Sequence, residues 1–243
     1  MKRSKFLALV VGAAATFALT TACESPDSQS RFDEYSEIVG EAEPTSELCD
    51  SEKRDIEGKY FMRLQHSIGP QNHIMMEVDV TPQGDNYKLV FQPLKADYTQ
   101  EMINVLDEDG NIVYKLDEDG NPRLDKDGNP IPEKINAPRD DARAPAGDPI
   151  ILENVEVSSN GEMHFGMERI IVDGEANTFT WGEIEADITL TVAVCSTGVI
   201  CGKGSLQTYR PLQLTGVANF GALEVDTVDL ESTAPVDCDS DPI

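Results

Sequence analysis

Glu183-Ile-Glu-Ala-Asp-Ile-Thr-Leu-Thr-Val-Ala-Val-Cys195 decides the fold, because its side chains alternate with a period of two. Ile184, Ala186, Ile188, Leu190, Val192 and Val194 fall on one side, and Glu183, Glu185, Asp187, Thr189 and Thr191 on the other. Successive side chains leave a β-strand on opposite faces, so this stretch reads as a strand with one buried face.

The same period recurs on either side. Tyr60, Met62 and Leu64, then Ile74, Met76, Val78 and Val80, then Tyr87, Leu89 and Phe91 alternate with mostly polar neighbours. Turn formers separate them, at Ile68-Gly-Pro-Gln-Asn72 and at Pro82-Gln-Gly-Asp-Asn86, so a three-stranded antiparallel meander is expected. Further strands are expected around Leu152–Val157, Met163–Val172, Asn177–Trp181, Ser205–Leu214 and Leu223–Leu230. No stretch after the tether keeps a sustained helical stripe, although Tyr98–Val105 would suit one short helix. Eight or more short strands imply a single all-β domain over residues 49–243, an antiparallel sandwich or barrel.

Residues 97–148 interrupt the strands with a small repeat: Leu106-Asp-Glu-Asp-Gly-Asn111, Leu116-Asp-Glu-Asp-Gly-Asn121 and Leu124-Asp-Lys-Asp-Gly-Asn129. With each glycine at position 6 of a calcium loop, positions 3 and 5 hold Asp107 and Asp109, Asp117 and Asp119, and Asp125 and Asp127. Position 1 holds Val105, Lys115 and Arg123, and position 12 holds Leu116, Lys126 and Lys134, so the first aspartate and the bidentate glutamate of an EF-hand are missing. Asp-Gly-Asn is instead good turn chemistry, because glycine accepts the positive φ that hairpin turns need. The insertion therefore reads as acidic hairpins, with weak calcium binding by these six aspartates as the alternative.

The N-terminal end supplies an address. A basic tip (Lys2, Arg3, Lys5) precedes an apolar run from Phe6 to Leu19, then Thr20, Thr21, Ala22 and Cys23. That run is long enough for a signal peptide and short of the ~20 residues needed to span a bilayer. The segment resembles the lipobox of bacterial lipoproteins, with Thr20 where that family prefers leucine. The resemblance implies removal of residues 1–22, lipidation of Cys23 and attachment to the membrane through the lipid. Glu24 and Ser25 lack the Asp of inner-membrane retention, so an exported protein on the outer membrane is expected. Residues 23–48, rich in Ser, Pro, Asp and Glu, read as a flexible acidic tether.

Without Cys23, four cysteines remain in an oxidising setting, which predicts two disulfides. Four cysteines allow three pairings. Chain proximity favours Cys195 with Cys201, leaving Cys49 with Cys238.

Charge and missing motifs narrow the function. The chain has 19 Lys and Arg against 45 Asp and Glu, a net charge of −26 that opposes nucleic-acid binding. His66, His73 and His164 have no metal-ligand spacing. Gly202-Lys-Gly-Ser205 is not a phosphate loop, there is no G-x-S-x-G elbow, and acid pairs such as Glu183 with Glu185 or Asp226 with Asp229 carry no information among 45 acids. No catalytic residue is assigned and no enzyme is expected. Gly58-Lys-Tyr-Phe-Met-Arg-Leu64, Val78-Asp-Val-Thr81, Leu89-Val-Phe-Gln-Pro-Leu94, Cys201-Gly202 and Pro211-Leu-Gln-Leu214 are similar to β-rich envelope lipoproteins of bacteria, and Gly58-Lys-Tyr60 opening a meander is weakly lipocalin-like. The expected role is non-enzymatic binding or structure at the cell envelope, with an envelope protein or glycan as partner. A lipocalin-like barrel around a small apolar ligand is the alternative, and a secreted enzyme of unrecognised type a third.

Overall fold

A computed structural model describes residues 54–67, 72–195 and 198–238 of the chain. The signal segment, Cys23, the tether and Cys49 lie outside the described residues, as does most of the turn expected at 68–72. Among the described residues no helix is long and apolar enough to cross a membrane.

The chain is all-β. Its strands are β1 (Gly58–His66), β2 (His73–Gln83), β3 (Asn86–Pro93), β4 (Tyr98–Asn104), β5 (Lys134–Pro138), β6 (Ile150–Val155), β7 (Glu162–Val172), β8 (Ile184–Val194), β9 (Val199–Arg210) and β10 (Leu214–Glu224). Eight of them form one antiparallel sheet in the order β6-β3-β2-β1-β10-β9-β8-β7. The sheet curls until its two edge strands, β6 and β7, come alongside each other, giving a nearly closed barrel. The remaining pair, β4 and β5, forms a separate two-stranded sheet.

The expected alternation determines which face is inside. Tyr60, Met62 and Leu64 from β1, Met76, Val78 and Val80 from β2, Leu89 and Phe91 from β3, and Ala186, Ile188, Leu190, Val192 and Val194 from β8 are buried in one core. Phe91 and Phe165 meet across it with ring centroids 6.0 Å apart. The meander β1-β2-β3 is as expected, with Met62 opposite Met76 and Val78 opposite Phe91.

Three elements differ from expectation. Tyr98–Asn104 is strand β4, not a helix, because its partner β5 arrives from 30 residues downstream and Asn104 pairs with Lys134. Residues 177–181 form no strand; they follow a single 3-10 turn at Gly174–Ala176, and Asn177 folds the loop on itself. The last strand is Leu214–Glu224 rather than Leu223–Leu230, because three of its inward positions are small (Gly216, Ala218, Ala222, around Phe220) and hide the alternation. Small residues serve a purpose on the neighbouring strand too. A Cβ on Gly202 would lie 2.1 Å from the Thr191 carbonyl oxygen, and one on Gly204 1.9 Å from that of Thr189. The Gly-Lys-Gly run is thus where β9 presses against the β8 backbone as the sheet bends.

The expected disulfide pairing is corrected. Cys201 is bonded to Cys238, with S–S 2.07 Å and Cα–Cα 5.1 Å. Cys195 and Cys201 lie only diagonally across the β8–β9 hairpin, since Cys201 faces Ala193 and Cys195 donates to Val199. Diagonal neighbours sit ~7–8 Å apart, beyond the usual disulfide reach. Their sulfurs approach to 3.5 Å without bonding. Cys195 is disulfide-bonded too, and since Cys201 and Cys238 are joined to each other its partner lies outside the described residues. Cys238 is therefore not available to Cys49.

Candidate functional site

The tail after β10 explains an irregularity in the sequence. Phe61 in β1 and Met75 in β2 point away from the barrel, yet both are apolar. A second, smaller core lies on that outer face: Phe61, Leu94 and Ala234 are buried there, with Met75, Leu223, Val225 and Val228 packed against them. Residues 225–238 cover the outside of the sheet, and the Cys201–Cys238 bond pins their far end to β9.

Where this cover stops, a groove of about 410 Å³ opens between the tail, the outer faces of β1 and β2, and the root of the insertion. Phe61, Met75, Tyr98 and Leu230 give it apolar walls, and Arg63, His73, Asp97 and Arg143 give it ionisable groups. Its size falls within the ~300–1,000 Å³ range of ligand sites.

Arg143 is the most constrained of these. It donates from Nε to Asp97 Oδ1 (2.6 Å) and from Nη2 to Asp97 Oδ2 (3.0 Å), a two-pronged ion pair. Nη1 reaches the carbonyl oxygens of Asp229 and Ser232, both at 3.4 Å. Its guanidinium carbon stands 4.7 Å from the centre of the Phe61 ring, within cation–π range. The backbone here has φ +63°, a left-handed conformation that costs a non-glycine residue energy and persists only when surroundings impose it. Trp181, also at positive φ (+57°), packs edge-on to Tyr98 with centroids 5.9 Å apart.

The neighbouring charges perturb each other. Burial and the Arg143 guanidinium both push Arg63 below its ordinary value, and Asp97 opposes them. Burial, seconded by the Arg63 charge, pushes His73 down to about 4. The imidazole is therefore neutral at physiological pH, and its Nδ1 is buried with no hydrogen-bond partner among the described residues.

A second space adjoins the groove. An apolar cavity of about 70 Å³ lies at this end of the barrel interior, among residues such as Leu64, Ile74, Val172, Ile188 and Leu206. His73 and Thr178 border both spaces. Thr178 Oγ1 donates to Asn72 Oδ1 at 3.3 Å, joining the 177–182 loop to the start of β2. Asn177 holds that loop: its side-chain nitrogen donates to Thr180 Oγ1 (2.6 Å) and the Gly182 carbonyl (2.8 Å), and its oxygen accepts from the Phe179 amide (3.0 Å). The opposite end of the interior is filled by Tyr60, Phe91, Phe165 and Phe220, leaving about 10 Å³.

The insertion behaves as turn chemistry. Gly110, Gly120 and Gly128 have φ of +81°, +82° and +83°. Asp107 Oδ1 accepts from the amides of Asp109 (3.0 Å) and Asn111 (2.8 Å), and Asp117 and Asp125 repeat this with the amides of Asp119 and Asn121, and of Asp127 and Asn129. Hydrogen bonds from the Asn111 amide and side chain hold Asp107 below the usual carboxylate range, and the amides of Asn129 and Asp127 do the same for Asp125. The six aspartates do not converge: among the described residues, the one group of three or more potential metal ligands brought together is Cys195, Cys201 and Cys238, whose sulfurs are all in disulfides.

The other residues singled out in the sequence have ordinary places. His164 is exposed beside the Thr191 hydroxyl at 3.0 Å. Glu185 pairs with Arg169 (2.8 Å) and Arg210 (2.7 Å). Asp229 accepts from the Glu231 amide (2.9 Å) and the Ser232 hydroxyl (3.1 Å). Arg63, Arg143 and Asp97 carried no motif; the signal that could have found the groove is the apolar residue on the outward positions 61 and 75, which breaks the alternation of β1 and β2.

The chain matches no protein-family model, and no curated protein resembles it in sequence at a significant level.

Proposed function

We propose that this is a lipid-anchored envelope protein that binds a small ligand in the groove between its barrel, tail and insertion root, without transforming it. The observation that carries the reading is the groove itself: a space of ligand size, with apolar walls and a buried imidazole nitrogen that has no hydrogen-bond partner among the described residues. The lipobox-like segment ending at Cys23 is the basis for the anchor, and delivery to the outer membrane follows from Glu24 and Ser25.

Two measurements test it. A thermal-shift screen of the full chain against small organic molecules should give hits that vanish in Thr233→Trp, whose indole would fill the groove from the tail side; hits unchanged in that variant would overturn the groove. Cys23→Ser should move the protein from the detergent phase to the aqueous phase, since only a thiol forms the thioether to diacylglycerol and two or more chains give stable anchoring. Retention of the variant in detergent would overturn the anchor.

The barrel-end cavity favours a second reading, a small apolar ligand held inside the barrel. At about 70 Å³ it would admit only a few heavy atoms, well below a typical lipocalin-sized occupant.

A further inference from the structure

We propose that the ligand is an uncharged molecule with a short alkyl end, which seats in the barrel-end cavity while the body of the molecule lies in the groove. The inference rests on the groove being a ligand site, and adds the chemical class of the ligand and the depth it reaches.

The cavity follows from one small residue. Ile170, Ala186, Thr208 and Leu214 stand opposite one another across β7, β8, β9 and β10, and all four line the space. Ala186 offers a single methyl on a strand whose next inward positions are Ile188, Leu190 and Val192. The hollow this leaves is about 70 Å³. That is room for roughly two to three groups the size of a water molecule or a methylene.

Its chemistry is apolar and uncharged. Thr208 Oγ1 is occupied, donating to the Leu212 carbonyl (2.6 Å) and accepting from the Leu214 amide (3.0 Å). The Asn177 side chain is spent on its own loop, and Thr178 on Asn72. Burial pushes both His66 and His73 below the ordinary imidazole value, so both are neutral at physiological pH. An apolar hollow stays dry and accepts apolar guests. A charged group entering it would give up its hydration without meeting a counter-ion.

The two spaces meet at His73 and Thr178, which border both. The Thr178–Asn72 hydrogen bond is long for a hydroxyl donor, at 3.3 Å, and so a weak latch. Phe179, the next residue in the loop, lines the cavity and is 43% exposed. A chain lying in the groove is therefore separated from the cavity by one loosely fastened loop.

The test is a series of phenyl ketones on the full-length chain: acetophenone, propiophenone, butyrophenone and hexanophenone. The Met75 methyl reports on the groove, and the Ile188 and Leu206 methyls on the cavity. Each added carbon up to butyrophenone should tighten binding about fourfold, as burial of a methylene predicts, and shift all three residues. The gain should stop before hexanophenone. Ala186→Val, which fills the cavity, should abolish the dependence on chain length, and Leu206→Ala, which enlarges it, should carry the gain on to hexanophenone. The acid 3-benzoylpropionate, with a carboxylate on the chain end, should leave Ile188 and Leu206 unshifted. Shifts at Met75 without any at Ile188 and Leu206 would overturn the seated alkyl end and leave the groove standing. A gain that continues undiminished to hexanophenone in the unaltered chain, or that persists in Ala186→Val, would place the alkyl end outside the cavity and overturn it too. Cavity shifts by 3-benzoylpropionate equal to those by butyrophenone would overturn the uncharged class. If no ketone shifts any of the three residues, both the alkyl end and the groove fail.

Discussion

Arg143, which enters from the far end of the insertion, stands 4.7 Å over the ring of Phe61 on β1, and so ties the insertion to the outside of the barrel. The contact is reinforced by the ion pair to Asp97 at the insertion's near end, so one side chain closes the root of a long excursion.

Arg143→Gln should therefore destabilise the protein by about 1–3 kcal/mol, through loss of charge-assisted hydrogen bonds and of the ring contact. Arg143→Lys should recover only part, because an ammonium cannot make the two-pronged pair. Urea unfolding monitored at Trp181, which packs against Tyr98 beside this root, would measure both.

Peptide mapping without reduction should recover Cys201 joined to Cys238. Cys195 should appear in a separate linked peptide, with Cys49 as its partner if Cys23 is acylated. Recovery of Cys195 joined to Cys201 would contradict the structure. Because the Cys201–Cys238 crosslink closes a separation of 37 residues, Cys238→Ser should cost about 3–4 kcal/mol. It should also loosen the tail that walls the groove.

Removing residues 105–133 and joining Asn104 to Lys134 through Asn-Gly should leave the barrel folded. These two residues already pair, and Asn-Gly closes a two-residue hairpin. Leu106, Leu116 and Leu124 are exposed, so the deletion removes little core. Ala146, by contrast, is in the barrel core and the deletion must not extend to it. A melting temperature within a few degrees of the intact chain is expected; loss of the cooperative transition would show that the arm supports the barrel. Calcium should bind the intact arm no more tightly than about 10 μM, since the carboxylates do not converge.

The pH dependence of stability should carry the mark of His73. Its pKa of about 4 in the fold lies below the 6.5 of an exposed imidazole, so the unfolded chain takes up a proton first. The contribution is complete above pH 6.5 and is lost as pH falls from there towards 4. His73→Gln should flatten the stability curve in that window. Asp107 and Asp125, whose pKa values are also depressed, act lower: their turns are intact above the ordinary carboxylate range and loosen as pH falls through their own values. Amide shifts of Asn111 and Asn129 against pH would show midpoints below that of a free aspartate.

The barrel was legible wherever one face of a strand is wholly apolar, as in Ile184–Val194. It was illegible where the pattern depends on a distant partner. Nothing local to Tyr98–Asn104 announces pairing with residues 134–138, and Gly216, Ala218 and Ala222 share the buried face of β10 with Phe220, so the apolar alternation there is faint. Cysteine pairing by chain proximity failed for a related reason: the hairpin register sets which cysteines face each other, and it was not readable beforehand. The groove was not read from the sequence. Phe61 and Met75 could have signalled a covered outer face, but the guanidiniums that line it come from positions 80 residues apart.

β1 holds a particular place in the sheet. It is the first strand among the described residues, yet it lies in the interior of the strand order, bonded antiparallel to β2 along Gly58–Gln65 and to β10 along Tyr60–His66. Tension arriving through the residues before it and drawn along its axis would load both ladders in shear, so that many hydrogen bonds must give way together. An edge strand pulled sideways would surrender them singly, like a zip. Resistance to force is a matter of unfolding rate, and this topology places a strand bonded on both sides next to the chain's N-terminal segment.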